Sequence, residues 1–484
     1  MKYKLIIGIL VLCVSALMLM SNAMASGWPP AWINQATLSN IDSNPSQDPE
    51  NSGFGRTQVV VWEEGNTPNR DIYMAFSVLD GAPFSWSAPI PVARTDDDEI
   101  NPAVAVTNID PNGATEIHVV YQRWNPAGGG QWDVYHDYTN NFGVGWSGAT
   151  CLDAAQTQNA IDPAIVYTED VSNPNVWWFG WLVQIVWSEA DPVTGLYEIQ
   201  YNAHYLDPMT RPPTRRYVGT TLIHGVITGA TGDCLYPEIA SVDERFTLGI
   251  FEYYFAIVWQ EELPLGGGVF QWNVWYVDGF TTIFPPPISI TVTPGSLGQL
   301  NPGIPGGDNC YDPDIAATQD YQVNERYYFH VDYVYWNAAA GTWQIDTCYY
   351  EGASRTPGAA LFTVAPAQGP VPNVLDRPTI ASKLIQVGPT IFETWMAWED
   401  STNPAANNPD IWFSVGTCQA GGVFGYTAPS LRVGYVPGVG GGSIEYNPEL
   451  WNRNDAVRMF PPLTHLVFDQ DLGGGIPEAV YIDP

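Results

Sequence analysis

Val59–Glu64 reads VVVWEE, and runs of the same kind return six times: HVVYQ at His118–Gln122, QIVWSE at Gln184–Glu189, AIVWQE at Ala256–Glu261, VDYVYW at Val331–Trp336, WMAWED at Trp395–Asp400 and HLVFDQ at His465–Gln470. Each is short, β-branched and aromatic, the composition of a buried strand. Before each run stands a proline that leads into a second apolar stretch, as in NPAVAV from Asn101, DPAIVY from Asp162, YPEIAS from Tyr236, DPDIAA from Asp312, RPTIAS from Arg377 and NPELW from Asn447. The first copy, Asp48-Pro49-Glu50, is degenerate. The prolines are Pro49, Pro102, Pro163, Pro237, Pro313, Pro378 and Pro448, spaced 53 to 76 residues apart. Proline suits the first residue of a strand, where no ladder partner is needed. After each run comes an alternating stretch with its aromatics on one face, such as DIYMAFS from Asp71 and DVYHDYT from Asp133. A looser fourth strand closes most units, as in FSWSAPIPV at Phe84–Val92.

Four antiparallel strands taken seven times predict an all-β chain and one seven-bladed β-propeller. The blades fall near 48–92, 101–152, 162–223, 236–292, 312–365, 377–434 and 447–484. The last unit stops after its third strand at Pro484, and AWINQATLS at Ala31–Ser39 is the candidate for its fourth. An N-terminal strand completing the last blade would close the ring and remove an open edge. An open β-solenoid or two stacked β-sandwiches leave that missing strand unexplained.

The first 25 residues read as a secretory signal: Lys2 and Lys4, an apolar run from Leu5 to Met20, then Ala23-Met24-Ala25. A secreted, extracellular or cell-surface location is therefore expected, with the periplasm as an alternative. The formal charge is −34, with 17 basic and 51 acidic residues. Such a surface repels nucleic acid and anionic lipid and suits cations, neutral sugars or basic partners. No later stretch is apolar enough to span a membrane. Export permits disulfides among Cys151, Cys234, Cys310, Cys348 and Cys418, and the odd number leaves at least one thiol unpaired within the chain.

At the turn after the third strand the chain resembles the Asp-box, or BNR, repeat of sialidase-like propellers, S-x-D-x-G-x-x-W. Unit two carries Thr139, Asn141, Gly143 and Trp146 at that spacing; unit one has Ser77, Asp80, Gly81 and Trp86 with altered spacing. The resemblance implies a propeller. It would bring an arginine triad, a tyrosine–glutamate nucleophile pair and an acid if the chemistry came with it. The R-I-P context of the first arginine is absent and the arginines are scattered, so no sialidase catalytic role is carried over.

The residues before each proline and after each aromatic run are expected to crowd one face. Glu63, Glu189, Glu261 and Glu399, with Trp124 and Trp272 in or beside loops, are the candidate ligand-binding residues. Asp162, Asp312 and Asp314 are the candidate metal ligands, for calcium, since clustered carboxylates repel unless hydrated, protonated or bridged by a cation. Asp96–Glu99 reads as a solvated acidic loop. The histidines do not cluster in the sequence, and core or surface roles are expected of them. No serine-hydrolase elbow or phosphate loop is present. The reading that follows is a non-catalytic exported propeller, a scaffold that binds glycan, protein or itself. The alternatives are a divergent sialidase-like glycoside hydrolase or lyase working through the clustered carboxylates, and a subunit of a surface array or filament.

Overall fold

In the computed structural model the described residues are 34–39 and, between 45 and 483, the strands and most short turns. Longer connections, among them 109–114, 170–180, 225–231, 301–307, 365–374, 401–409, 433–443 and 453–463, lie outside them. The signal-like segment also lies outside them. The described residues are all-β, with no helix, and no helix long and apolar enough to cross a membrane.

They form seven antiparallel sheets, each built on four strands. Sheet one comprises Ser46–Phe54, Thr57–Asn66, Asn69–Ser77 and Ile90–Ala93. The inner strands of sheets two to seven are Glu99–Asn108, Ala160–Glu169, Cys234–Ser241, Asn309–Asp320, Leu375–Gln386 and Ile444–Asn452. Three sheets add short strands to the four. In sheet seven the fourth place is taken by Asn34–Thr37, which pairs with Glu478–Asp483 from Asn34↔Asp483 to Thr37↔Val480.

Seven apolar clusters lie between consecutive sheets. Val61, Ile72, Val104 and Ile117 join sheets one and two. Tyr201, Phe255 and Trp259 join three and four. Leu38, Val60, Trp62 and Val467 join seven and one. A strand pair this short cannot bury both faces alone, so each sheet depends on its neighbours for its core.

Polar bonds repeat between the same neighbours. Glu63 accepts from the Asn101 amide at 2.7 Å, Gln122 from Asp162 at 2.9 Å, and Gln260 from Asp312 at 2.9 Å. Asp469 of sheet seven accepts from the Asp48 amide of sheet one at 3.0 Å. In each case the second strand of one sheet satisfies a backbone donor that the next inner strand cannot use in its own ladder.

The proline does not begin the inner strand. In all seven sheets pairing is interrupted around it, as between Gln47 and Glu50, Ile100 and Ala103, and Tyr446 and Glu449. Proline has no amide to donate, so a bulge accommodates it inside the strand. The preceding residue adopts positive φ, 45° to 51°, at Asp48, Asn101, Asp162, Tyr236, Asp312 and Arg377.

At the turn of sheet two, Thr139 Oγ1 bonds Asn141 Oδ1 at 2.7 Å and accepts from the Gly143 amide at 3.1 Å. Asn141 accepts from the Gly145 amide at 3.0 Å, and Trp146 Nε1 donates to Pro91 O of sheet one at 3.1 Å. Ser77 and Gly81 repeat the hydroxyl-to-amide bond in sheet one at 3.1 Å. Asp80 lies outside the described residues. None of the four described cysteines, Cys151, Cys234, Cys310 and Cys348, is in a disulfide.

Candidate functional site

The bulges face a shared cavity of about 780 Å³, lined by the inner strands of all seven sheets. Because the pre-proline residue is left out of the ladder, its side chain turns to the cavity. Asp48, Asn101, Asp162, Tyr236, Asp312 and Arg377 therefore form one layer. Tyr236 is 49% exposed there, the aromatic member of an otherwise polar ring. The residue after each proline forms the next layer, where Glu50, Glu238, Asp314 and Glu449 meet.

Burial governs Asp162 and Asp312 in the first layer and the four acids of the next. It raises Asp162 to about 6, against the opposing pull of the Tyr236 amide and the Asn101 side chain, whose Nδ2 is 3.2 Å from Oδ1. It raises Asp312 well above the usual carboxylate range, and the hydrogen-bonded Asp376 carboxyl beside it adds to the rise while Arg377 opposes it. In the next layer Glu50, Glu238 and Glu449 are pushed well up, first by burial and then by neighbouring carboxylates, Asp314 acting on all three and Glu50 on the other two. Asp314 is raised less, because the amides of Ile380 and Ile315 donate to it at 2.7 and 2.6 Å. These carboxyls hold protons or attract a cation, since all cannot ionise together in one small space.

Of the residues singled out in the sequence, Asp162 and Asp312 stand at the mouth and Asp314 one layer deeper. The others lie elsewhere. Glu63 is buried between sheets one and two, bonded to the Asn101 amide and paired with Arg70 at 3.0 Å. Glu189 accepts from the Trp187 indole at 3.0 Å, as Glu64 does from Trp62 at 3.1 Å. Glu261 occupies the same position after Trp259 and is raised to about 7 by burial, against a bond from the Trp275 side chain. Glu399 is buried, with Arg377 Nε 3.9 Å away. Trp124 packs edge-on against Trp132 at 5.4 Å, and the Trp272 amide donates to Asn309 Oδ1 at 3.0 Å. Both tryptophans are half-buried near the starts of inner strands, outside the cavity lining.

Two expectations need correction. Asp98 of the acidic run is not solvated: Arg70 grips it through Nε at 3.0 Å and Nη2 at 2.8 Å. The histidines do cluster: His118, His136 and His204 come together between sheets two and three. The sequence also gave no special weight to Tyr236 or Asp376. Tyr236 stands directly before a proline but is no acid, and Asp376 is an acid but stands two residues before one.

No family model matches the chain, and no curated protein matches it. Solved structures do. A protein of unknown function from Dyadobacter fermentans aligns over 93% of this chain and 97% of its own, at 8% identity and a TM-score of 0.42. Trypanosoma rangeli sialidase in complex with sialic acid aligns over 94% of this chain at 8% identity and a TM-score of 0.36, and the alignment spans 57% of that chain. The GH93 α-L-arabinofuranosidase of Fusarium graminearum aligns over 79% of this chain and 97% of its own, at 10% identity and a TM-score of 0.39. At such identities and TM-scores the likeness bears on the fold alone. The expectation of a non-catalytic scaffold is corrected at this point. Most of these similar structures are glycoside hydrolases, which runs against that expectation.

Proposed function

We propose that the chain is a closed seven-bladed propeller that hydrolyses neutral glycans at the mouth of its central cavity. The seven sheets, the cluster between sheets seven and one, and the Asp48–Asp469 bond support the ring. The turn bonds around Thr139 and Ser77 support a degenerate Asp-box relationship. The observation that carries the chemistry is the pair Asp162 and Asp312 beside Tyr236, in unlike surroundings: burial raises Asp162 to about 6 while the Asn101 side chain opposes it, and burial raises Asp312 with the Asp376 carboxyl adding to the rise. Glycoside hydrolysis needs one carboxyl that keeps its proton and one that has lost it, and environments that push two acids apart supply both.

In this reading Asp312 protonates the departing glycosidic oxygen. Asp162, ionised above its pKa, acts from the opposite side of Tyr236 as base or nucleophile. Tyr236 offers its exposed ring to a sugar face, and Arg377 donates to sugar hydroxyls. The volume suits a ligand of a few sugar rings. A neutral glycan fits better than an anionic one, because Arg377 is the one basic residue among the described cavity residues and acids surround it. The oxygen donors of Glu50, Glu238, Asp314 and Glu449 also suit the calcium ion expected from the sequence. Export to the cell exterior fits a polymeric glycan substrate.

The test is release of reducing sugar from a panel of neutral polysaccharides by the full-length protein. Asp312→Asn and Asp162→Asn should each lose about 10²–10⁴-fold in kcat, while Glu189→Gln, an indole partner outside the cavity, keeps it. Activity that survives both mouth substitutions rejects the assignment.

A further inference from the structure

Sheets two and three bury three histidines against one another. His118 and His136 stand on the second and third strands of sheet two, Thr115–Asn125 and Gln131–Thr139, and His204 on Tyr197–Asp207 of sheet three. All three are fully buried, and one ring nitrogen of each lies within 4.8 Å of the other two. The His118 and His136 rings stack with centroids 5.2 Å apart and 3° between planes. His204 meets them edge-on at 5.5 and 5.0 Å.

The nitrogens are sorted by their surroundings. His136 Nδ1 is 2.7 Å from Tyr217 Oη, and His118 Nε2 is 3.5 Å from Glu116 Oε2. Glu116 is itself held by Arg215 Nη2 at 2.6 Å, and that guanidinium lies 4.7 Å over the Tyr138 ring. The two remaining nitrogens, His118 Nδ1 and His136 Nε2, face each other at 3.0 Å. That contact is a hydrogen bond between the two rings, whose shared proton a metal ion would replace, and the Tyr217 hydroxyl stands behind His136 where an outer partner orients a ligating imidazole.

We propose that His118, His136 and His204 bind one divalent transition-metal ion of the zinc class, which pins sheet two to sheet three. With metal–nitrogen bonds of about 2.0–2.1 Å, nitrogens 3.0 Å apart subtend about 90° at a common ion, within reach of a tetrahedral or five-coordinate angle after a small ring shift. An all-imidazole donor set selects zinc, cobalt, nickel or copper over calcium and magnesium. None of the three histidines lines the cavity, so the proposal does not depend on any catalysis there.

The test uses the full-length protein, stripped with chelator and titrated with Zn²⁺ by calorimetry and with Co²⁺ by visible absorption. One equivalent should bind and raise Tm. Tyr217→Phe, which removes only the outer partner of His136, should weaken Zn²⁺ binding about 10–100-fold, and His204→Gln should abolish it. His330→Gln, at a buried histidine in sheet five, should leave it unchanged. Should His204→Gln fail to fold, imidazole NMR of the wild type decides: Zn²⁺ should shift the signals of three of the six histidines. No stoichiometric binding to the wild type, or shifts at other histidines, overturns the proposal.

Discussion

Each pre-proline residue combines a backbone role with a side-chain role. Its positive φ lets the bulge form, and its side chain faces the cavity. Asp and Asn tolerate that conformation, whereas Tyr236 and Arg377 adopt it at a cost of about 1 kcal/mol or more. Strain retained at an exposed tyrosine argues that the ring is kept for contact with a ligand. Tyr236→Asn should therefore raise stability by about 0.5–1 kcal/mol while reducing glycan turnover. Chemical denaturation and a rate assay on the same sample check both. Gln122 has no such dual role. It accepts from the Asp162 amide and from Asn101 Nδ2, at 2.9 and 2.6 Å. Gln122→Ala leaves both donors buried and should cost about 1–3 kcal/mol by urea denaturation.

Asp162 also sets a pH dependence. Its folded pKa of about 6 lies above the unfolded value of about 3.9. Between those values the folded chain holds a proton that the unfolded chain has lost, so stability falls as pH rises through that window. Asp162→Asn should flatten the fall, measured by denaturation at intervals from pH 4 to 7. The aromatic-x-acid spacing was legible in the sequence, but the jobs of its two polar positions were not. Glu63 and Glu64 are identical and adjacent, and only the alternation of the strand sends one to the next sheet and the other to an indole.

Among the elements, second and third strands were the most legible, because β-branched and aromatic residues alternate there without interruption. The inner strands were misjudged at their starts. A proline looks like a beginning, whereas pairing in fact runs through it from Gln47 to Glu50 with two residues set aside. The turn of sheet two shows how locally such elements are fixed. Gly143 has φ +79°, and a Cβ there would stand 2.6 Å from Met74 Cε and 2.8 Å from Ile90 Cγ2 of sheet one. Gly143→Ala should cost about 1–3 kcal/mol, measured by thermal unfolding. Gly148→Ala, also at positive φ but in open space, carries only the backbone strain and should cost less.

For the whole molecule, stability rests on each sheet finding a neighbour on either side. The seventh sheet draws its last strand from the other end of the chain. Deleting residues 34–39 removes that strand and Leu38 from the cluster between sheets seven and one. The exposed edge of Glu478–Asp483 should then promote self-association, seen as a shift to higher mass in light scattering. This long-range pairing was legible because a count of strands came out one short. The histidine cluster was not, because its members are far apart in sequence and meet only when sheets two and three stack. The cavity lining was half legible: the acids stood out by charge, while the burial that raises Asp162 and Asp312 arises only on folding.

The most direct measurement is a crystal structure of the Asp312→Asn variant soaked with a neutral oligosaccharide that the wild type cleaves. A sugar ring seated on Tyr236, with its glycosidic oxygen within hydrogen-bonding distance of residue 312 and Asp162 across from it, is the predicted result. Oligosaccharide bound away from the cavity mouth would contradict it.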